Sequence, residues 1–152
     1  MRIFVTVGTF RFDELIKLVD NLASTSSHTF TCQLGCGEYK PKNCIWFEFS
    51  SNFEGFISDA DLVITHAGAG TVYGLLEQHK NIIVIPNTFR VDQHQLELAR
   101  YVNENNFALT CISLLELENA LEQSSSFFDQ NCLRYSKEPF NKFDDILELI
   151  NN

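Results

Sequence analysis

The sequence is short of basic residues. Its 11 lysine and arginine residues stand against 20 aspartate and glutamate residues, which gives a formal net charge of −9. Proteins that bind free DNA or RNA need clustered lysine and arginine side chains at the phosphates. The deficit therefore disfavours nucleic acid as a ligand. A mononucleotide ligand stays open, because backbone N–H groups at a helix N-terminus can hold phosphate without basic side chains.

Long apolar runs are also missing. No stretch of the sequence approaches the roughly 18 apolar residues that a membrane-spanning helix needs. The N-terminus enters a strand-like run directly, without the features of a signal peptide, and the five cysteines are an odd number. These features favour a soluble protein of a reducing compartment. Any attachment to a membrane is then expected to come through a partner.

One group of cysteines, Cys32, Cys36 and Cys44, has His28 nearby and invites comparison with a zinc site. A structural zinc site usually has two closely spaced pairs of Cys or His ligands, and the second pair is missing here. We therefore expect no metal, and we interpret the three cysteines as buried thiols of strands.

Several motifs of cofactor binding and hydrolysis are absent as well. The turn after the first strand is not the Gly-x-Gly-x-x-Gly of dinucleotide-binding proteins, and no glycine-rich loop ends in Gly-Lys-Ser or Gly-Lys-Thr. NAD and ATP are therefore disfavoured, and we expect no cofactor. The sequence also lacks Gly-x-Ser-x-Gly, Asp-x-Asp and His-Glu-x-x-His. A small-molecule hydrolase would need a nucleophile motif that the chain does not contain.

Strand-like and helix-like segments alternate about six times along the 152 residues. The predicted strands cover residues 2–7, 29–34, 44–49, 61–65, 81–85 and 107–111. The predicted helices cover residues 12–23, 52–60, 71–79, 92–103 and 113–123, with Ser113 as an N-cap. The polar stretch 124–138 predicts a loop or lid, and residues 140–152 an amphipathic terminal helix. The alternation predicts a single α/β domain with a mainly parallel, Rossmann-like sheet.

Ligands of such sheets bind beyond the carboxyl ends of the strands. The loop there with the most distinctive residues follows the fourth predicted strand, and its sequence is His66, Ala67, Gly68, Ala69, Gly70, Thr71. Two glycines permit positive φ and a close backbone approach, so a side chain at either is expected to block a ligand. The helix that follows offers N–H groups to a diphosphate, and Thr71 adds a hydroxyl. A tight turn without a ligand is the alternative.

Two further loops lie at the same edge of the predicted sheet. Gly8 and Thr9 follow the first strand and could approach the same ligand, although an ordinary turn fits equally well. In the loop 87–95, Asp92 is a natural N-cap, and Arg90, His94 and Gln95 could meet phosphate or sugar hydroxyls; a solvated helix start is the alternative.

His66 and His94 are the candidates for proton transfer at neutral pH. Neither has a carboxylate partner that the sequence makes evident, so the catalytic base is not assigned. Helical geometry turns Glu77 away from the glycine loop, which favours a surface role for its carboxylate.

Three segments in order carry a resemblance to a known family. They are residues 4–9, FVTVGT; residues 61–71, DLVITHAGAGT; and residues 92–99, DQHQLELA. They resemble the cytosolic catalytic subunit of the dolichol-pathway UDP-N-acetylglucosamine transferase, which is similar to the C-terminal half of family 28 glycosyltransferases of the GT-B fold. The resemblance covers roughly residues 2 to 112.

The resemblance implies an inverting transfer of the second N-acetylglucosamine to N-acetylglucosaminyl-diphosphodolichol. It implies that this half binds UDP-N-acetylglucosamine. A separate membrane-anchored subunit would recruit it to the cytosolic face of the endoplasmic reticulum and help bind the lipid acceptor. It further implies that the terminal helix docks on that partner, which suits the apolar residues Phe140, Phe143, Ile146, Leu147 and Ile150.

One position departs from the wider family pattern. Three residues after Thr71 the family usually has an acidic residue that holds the uridine ribose, and here that position is Gly74. Two alternatives therefore stay beside the first interpretation. One is a subunit of a split bacterial exopolysaccharide transferase, and the other is a non-catalytic binding or scaffold protein that kept the fold.

Overall fold

The computed structural model describes residues 1–88 and 93–136. Eleven helices and strands and one 3-10 turn are assigned there, with these bounds in chain order: β1 (Arg2–Thr6), α1 (Asp13–Thr25), β2 (Thr29–Gln33), β3 (Ile45–Phe47), α2 (Phe53–Asp59), β4 (Leu62–His66), α3 (Ala69–Glu77), β5 (Ile82–Ile85), α4 (Gln93–Glu104), β6 (Leu109–Thr110), the 3-10 turn (Leu114–Glu116) and α5 (Leu117–Gln130). The predictions for Arg90, Asp92 and the terminal segment 140–152 lie outside the described residues.

The strands form one parallel sheet in the order β3-β2-β1-β4-β5-β6. The chain runs outward from β1 to β3, returns to the centre at β4, and then runs outward to β6. The direction of winding therefore reverses between β1 and β4, which is the topological switch point of the sheet. The predicted α/β fold with a parallel sheet is confirmed.

Helices cover both faces of the sheet, so the central strands are apolar on both sides. On one face, Leu15 and Val19 of α1 pack with Leu117 of α5 against alternate strand residues. On the other face, α2, α3 and α4 pack against Phe4 and Val63. Two buried layers thus hold β1 and β4 rigidly at the centre of the sheet, where the switch point lies.

Helix α1 also fixes the long loop between β2 and β3. The buried carboxylate of Asp13 accepts hydrogen bonds from the backbone N–H groups of Glu38 and Tyr39, at 3.0 and 3.1 Å. Asp20, two turns later, accepts from the N–H groups of Lys42 and Asn43 at 2.9 and 2.7 Å. A loop that contributes little apolar surface is therefore ordered by two acidic side chains.

The hydrogen bonds at Asp20 change its acidity. Burial acts to raise the pKa of Asp20, but the bonds from the Tyr39 hydroxyl, Asn43 and Lys42 outweigh it, so the pKa lies below its usual value. The Tyr39 hydroxyl donates to Asp20 at 2.6 Å, and this bond raises the pKa of Tyr39.

The predicted loop or lid at 124–138 is wrong over its first half, because α5 continues to Gln130. The three consecutive serines are typical of a loop, yet Ser124 is buried and its hydroxyl donates a hydrogen bond to the Leu121 carbonyl oxygen at 2.7 Å. Phe128 packs against the core beneath, so tertiary packing outweighs the weak helix propensity of serine. Ser113 is an N-cap as predicted: it caps the 3-10 turn that leads into α5, in a capping box with Glu116.

The cysteines differ in part from the prediction. Cys32 is buried on β2, but Cys36 is exposed in the following loop and Cys44 is half-buried just before β3. Within residues 1–88 and 93–136, no group of three or more His, Cys, Asp or Glu side chains could hold a metal ion. None of the described helices has the length and apolar character needed to cross a bilayer.

Candidate functional site

The two glycine-containing loops meet at the switch point. Strands β1 and β4 are direct neighbours, and Thr6 pairs with Thr65 at their carboxyl ends. The turn at Gly8 follows the first of these strands, and the loop at Gly68 follows the second. Short-range sequence patterns placed each loop at a strand end, and the strand order brings the two together.

The imidazole ring of His66 fills the space between these loops. A Cβ atom built on Gly8 would lie 2.7 Å from Cε1 of His66, and one built on Gly68 would overlap Nε2 of the same ring. Both glycines are therefore needed to accommodate His66. The histidine packs against the backbone of both loops and sets their separation.

The two glycines of the β4–α3 loop do not have the backbone conformation that the sequence suggested. Gly68 has φ −79° as the N-cap residue of α3, and Gly70 lies within the first turn of that helix. Positive φ occurs instead at Gly8, with φ 70°, in the turn after β1. At Gly68 the absence of a side chain makes room for a ring, whereas at Gly70 a Cβ atom would meet no described atom within 4 Å.

A cleft of about 450 Å³ opens beside this loop, between α3 and α4. Its lining residues are Ala67, Gly68, Ala69, Tyr73, His94, Gln95, Glu97, Leu98 and Tyr101. Five of them are among the residues that the sequence nominated. No side chain of the described residues caps the N-terminus of α3, and its first turn carries no acidic residue. The positive end of a helix dipole therefore faces the cleft, a favourable place for an anion.

Gly70 and Thr71 lie on the other side of α3. They line a smaller groove of about 170 Å³ against α2, together with Gly74, Glu54 and Gln78. The Nε2 atom of Gln78 donates to a carboxylate oxygen of Glu54 at 3.3 Å across this groove. The nominated loop thus divides between two surfaces, because helical geometry turns successive residues to different sides.

The nominated residues of the second loop have different environments. Gln95 is buried, and its side-chain oxygen accepts from the backbone N–H of Asn87 at 2.9 Å, which ties α4 to the end of β5. His94 is exposed at the rim of the cleft, with Nδ1 3.6 Å from a carboxylate oxygen of Glu97. The carboxylate neighbour that the sequence did not make evident is thus one helical turn away. Glu77 is exposed, as expected.

Two features of the site were not found from the sequence. Tyr73 and Tyr101 form an aromatic wall of the cleft, and burial together with the neighbouring hydroxyls of Tyr101 and Tyr135 raises the pKa of Tyr73. The buried Gln33 contacts the Gly8 turn through its side-chain amide. The available clue was a glutamine between Cys32 and Leu34 at the end of a predicted strand, where a buried polar group needs partners.

The arrangement is suited to binding more than to nucleophilic chemistry. The backbone at the start of α3, the imidazole ring of His94 and the aromatic wall line the cleft. Thr9 is exposed in the turn after β1 and is not among the lining residues. Such a site can hold a diphosphate through N–H groups and place a sugar or base against the aromatic wall.

Comparison with known proteins agrees with this geometry. The sequence model of the glycosyltransferase family 28 C-terminal domain matches residues 2–150. The chain belongs to this glycosyltransferase family.

One family 28 relative is the UDP-N-acetylglucosamine transferase subunit ALG13 of Mus musculus, 33% identical over 123 residues, which cover 72% of this chain and 10% of the mouse protein. The human subunit of the same name is 34% identical over 122 residues. The chain thus spans about a tenth of the length of these mammalian relatives.

Solved structures share the fold. The solution structure of ALG13 superposes with a TM-score of 0.61 at 23% identity and covers 96% of this chain and 94% of its own. MurG of Acinetobacter baumannii superposes with a TM-score of 0.63 at 19% identity, over 99% of this chain and 49% of MurG. The domain therefore corresponds in fold to about half of a GT-B glycosyltransferase.

Proposed function

We propose that this chain binds UDP-N-acetylglucosamine as one subunit of a two-part inverting N-acetylglucosaminyltransferase. The observation that carries the proposal is the meeting of the Gly8 turn, the His66 ring and the uncapped N-terminus of α3 beside one cleft. The relatives named UDP-N-acetylglucosamine transferase subunit support the choice of donor.

In this proposal the N–H groups of the first turn of α3 hold the diphosphate. They stabilise the charge that develops on the leaving UDP as the glycosidic bond to the sugar breaks. The sugar lies along the cleft toward Tyr73 and Tyr101, where aromatic faces can pack against its C–H groups. An inverting transfer also needs a base that takes the proton of the acceptor hydroxyl. Exposed at the rim, His94 is better placed for this than His66, which is packed between two glycines.

The proposed acceptor is N-acetylglucosaminyl-diphosphodolichol, presented by a membrane-anchored partner at the cytosolic face of the endoplasmic reticulum. Support comes from the correspondence of this domain to about half of a GT-B chain. The partner would supply the other wall of the cleft. Deleting residues 140–152 is expected to abolish co-purification with the partner without unfolding the domain, and a truncated chain that still co-purifies would refute the docking role.

Calorimetric titration with UDP and with UDP-N-acetylglucosamine tests the donor site. We expect saturable binding of both, with UDP-glucose weaker because it lacks the acetamido group. An absence of heat and of any thermal shift with either nucleotide would reject the proposal. Assays of the partnered protein with dolichol-linked and with bacterial polyprenyl-linked acceptors then separate the dolichol pathway from the split exopolysaccharide alternative.

The open groove at Gly74 favours a second candidate, a non-catalytic scaffold. No carboxylate projects from α3 at this position, and a Cβ atom there would meet no described atom within 4 Å. Gly74 lies on the groove side of α3, away from the cleft, so Gly74→Glu should fit without strain and leave the affinity for UDP within about twofold of wild type, with Gly74→Gln as the uncharged control. If the wild type binds no nucleotide and Gly74→Glu restores binding, the scaffold function is favoured.

A further inference from the structure

Gln33 occupies an unusual place for a polar side chain. It ends β2 and is only 4% exposed. Its side-chain oxygen accepts a hydrogen bond from the Thr6 hydroxyl of β1 at 2.7 Å. Its Nε2 atom donates to the carbonyl oxygens of Gly8 at 2.8 Å and of Glu48 at 3.0 Å. One side chain thus links the carboxyl ends of β1 and β3 to its own strand.

The bonds to β1 converge on the Gly8 turn. The Thr6 hydroxyl that donates to Gln33 lies 3.4 Å from the backbone N of Gly8 and accepts from it, so both the N–H and the carbonyl of Gly8 are held by this network. Gly35 packs from the other side, where a Cβ atom would lie 2.6 Å from the Gly8 carbonyl oxygen. The positive φ of Gly8 is therefore maintained by its surroundings.

The Gly8 turn in turn contacts the ring of His66, which lies against Gly68 at the start of α3. Gln33 is not among the residues that line the cleft, and its polar atoms bond to Thr6, Gly8 and Glu48. These contacts connect Gln33 to the cleft through Gly8 and His66.

We propose that Gln33 is a positioning residue for the diphosphate subsite: its amide group holds the Gly8 turn so that His66 keeps the β4–α3 loop in its binding geometry. The inference rests on the proposed nucleotide-binding function, and it adds a residue on β2 to a site otherwise built from β1, β4, α3 and α4. Removing the two donated bonds should let the Gly8 peptide rotate and His66 shift toward it.

Two near-isosteric variants of the full chain test this proposal. Gln33→Glu keeps an acceptor for Thr6 but loses both N–H donors, and Gln33→Met removes all polar contacts. Each is expected to weaken UDP binding about tenfold by calorimetry. Without UDP, each should shift the Gly8 amide and His66 ring resonances in NMR spectra. The matched control is Tyr39→Phe, which removes the partly buried hydrogen bond that the Tyr39 hydroxyl, in the loop between β2 and β3, donates to Asp20 of α1. This substitution does not touch Gly8.

The outcomes separate this proposal from the proposed function. If folded Gln33 variants bind UDP within twofold of wild type, or if Tyr39→Phe at equal thermal stability loses as much affinity, the positioning role is overturned. If the wild type binds no UDP, the proposed function fails. The NMR comparison still decides the positioning claim in that case, because unchanged Gly8 and His66 resonances in both Gln33 variants would contradict it.

Discussion

Helices α1 and α3 occupy equivalent places in the fold, because each follows a central strand at the switch point. Their N-termini differ in the acidic residues that the first turn carries. The first turn of α1 carries two acidic residues, Asp13 and Glu14. The first turn of α3 carries none and follows the N-cap glycine Gly68, which lines the cleft. Asp13 is also buried and bonded to the loop at Glu38.

The difference indicates that the N-terminus of α1 serves the stability of the fold and that the N-terminus of α3 serves ligand binding. A carboxylate near a helix N-terminus offsets the positive end of the dipole, so α1 is compensated by its own residues. The first turn of α3 has no acidic residue of its own. Substitutions near α3 are therefore expected to change ligand affinity, whereas substitutions near α1 are expected to change stability.

Gly68→Val should have the largest effect on the α3 side of this comparison. The side chain would overlap the His66 ring, which has to move and take the loop with it. UDP affinity is expected to fall at least about 100-fold, equivalent to roughly 3 kcal/mol, as measured by calorimetry. A folded Gly68→Val protein with wild-type affinity would show that the loop is only a turn.

Asp13→Ala should have a comparable effect on the α1 side, but on stability. The variant leaves the N–H groups of Glu38 and Tyr39 without their acceptor, which costs about 2–3 kcal/mol in the free energy of unfolding. Urea denaturation measures the loss, and UDP affinity is expected to stay within twofold of wild type. A loss of affinity without a loss of stability would remove the distinction between the two helices.

The pH dependence of the free energy of unfolding should show the contribution of Asp20, which lies further along α1. Because its folded pKa lies below the usual value, Asp20 contributes stability that is present above pH ~4 and lost as the pH falls through the folded pKa. Asp20→Asn should therefore lower the free energy of unfolding by about 1–2 kcal/mol at pH 7, with a smaller difference from wild type at pH 3. Exposed Asp59→Asn is the control, and a difference that does not change with pH would contradict this explanation.

The smallest effect is expected from Gly70→Ala. Gly70 lies in the first turn of α3 with open space at its Cβ position, so alanine should stabilise the helix by about 0.5–1 kcal/mol. Thermal unfolding measures this gain, and UDP affinity should stay within twofold. A strong loss of affinity would place the ligand on the groove side of α3. It would also support the prediction from the sequence that a side chain at Gly70 blocks a ligand.

Much of the fold was predictable because it depends on short-range patterns. Apolar runs such as residues 61–65 gave the buried strands, and helical spacing gave α1 and α4 within a few residues. The end of α5 was missed because Ser124 favours helix only through its burial and its bond to Leu121. A polar run has no periodic feature that reveals such packing.

The candidate site was predictable in its location and less so in its details. Glycines at strand ends marked both loops, and the parallel sheet required them to share an edge. The sequence could not show that Gly8 makes room for His66, since that contact depends on the separation of β1 and β4. Nor could it show that Gln33 contacts the Gly8 carbonyl, 25 positions earlier in the chain.

The most direct test is an NMR titration of the labelled full chain with UDP. We expect saturable shifts of the backbone amides of Gly8, Gly68 and Ala69, at the β1 turn and the start of α3. We expect unchanged amides for Glu38 and Tyr39, whose N–H groups are already bonded to Asp13. Saturable shifts confined to the α1 region, or UDP binding that leaves the start of α3 unperturbed, would contradict nucleotide binding at the start of α3.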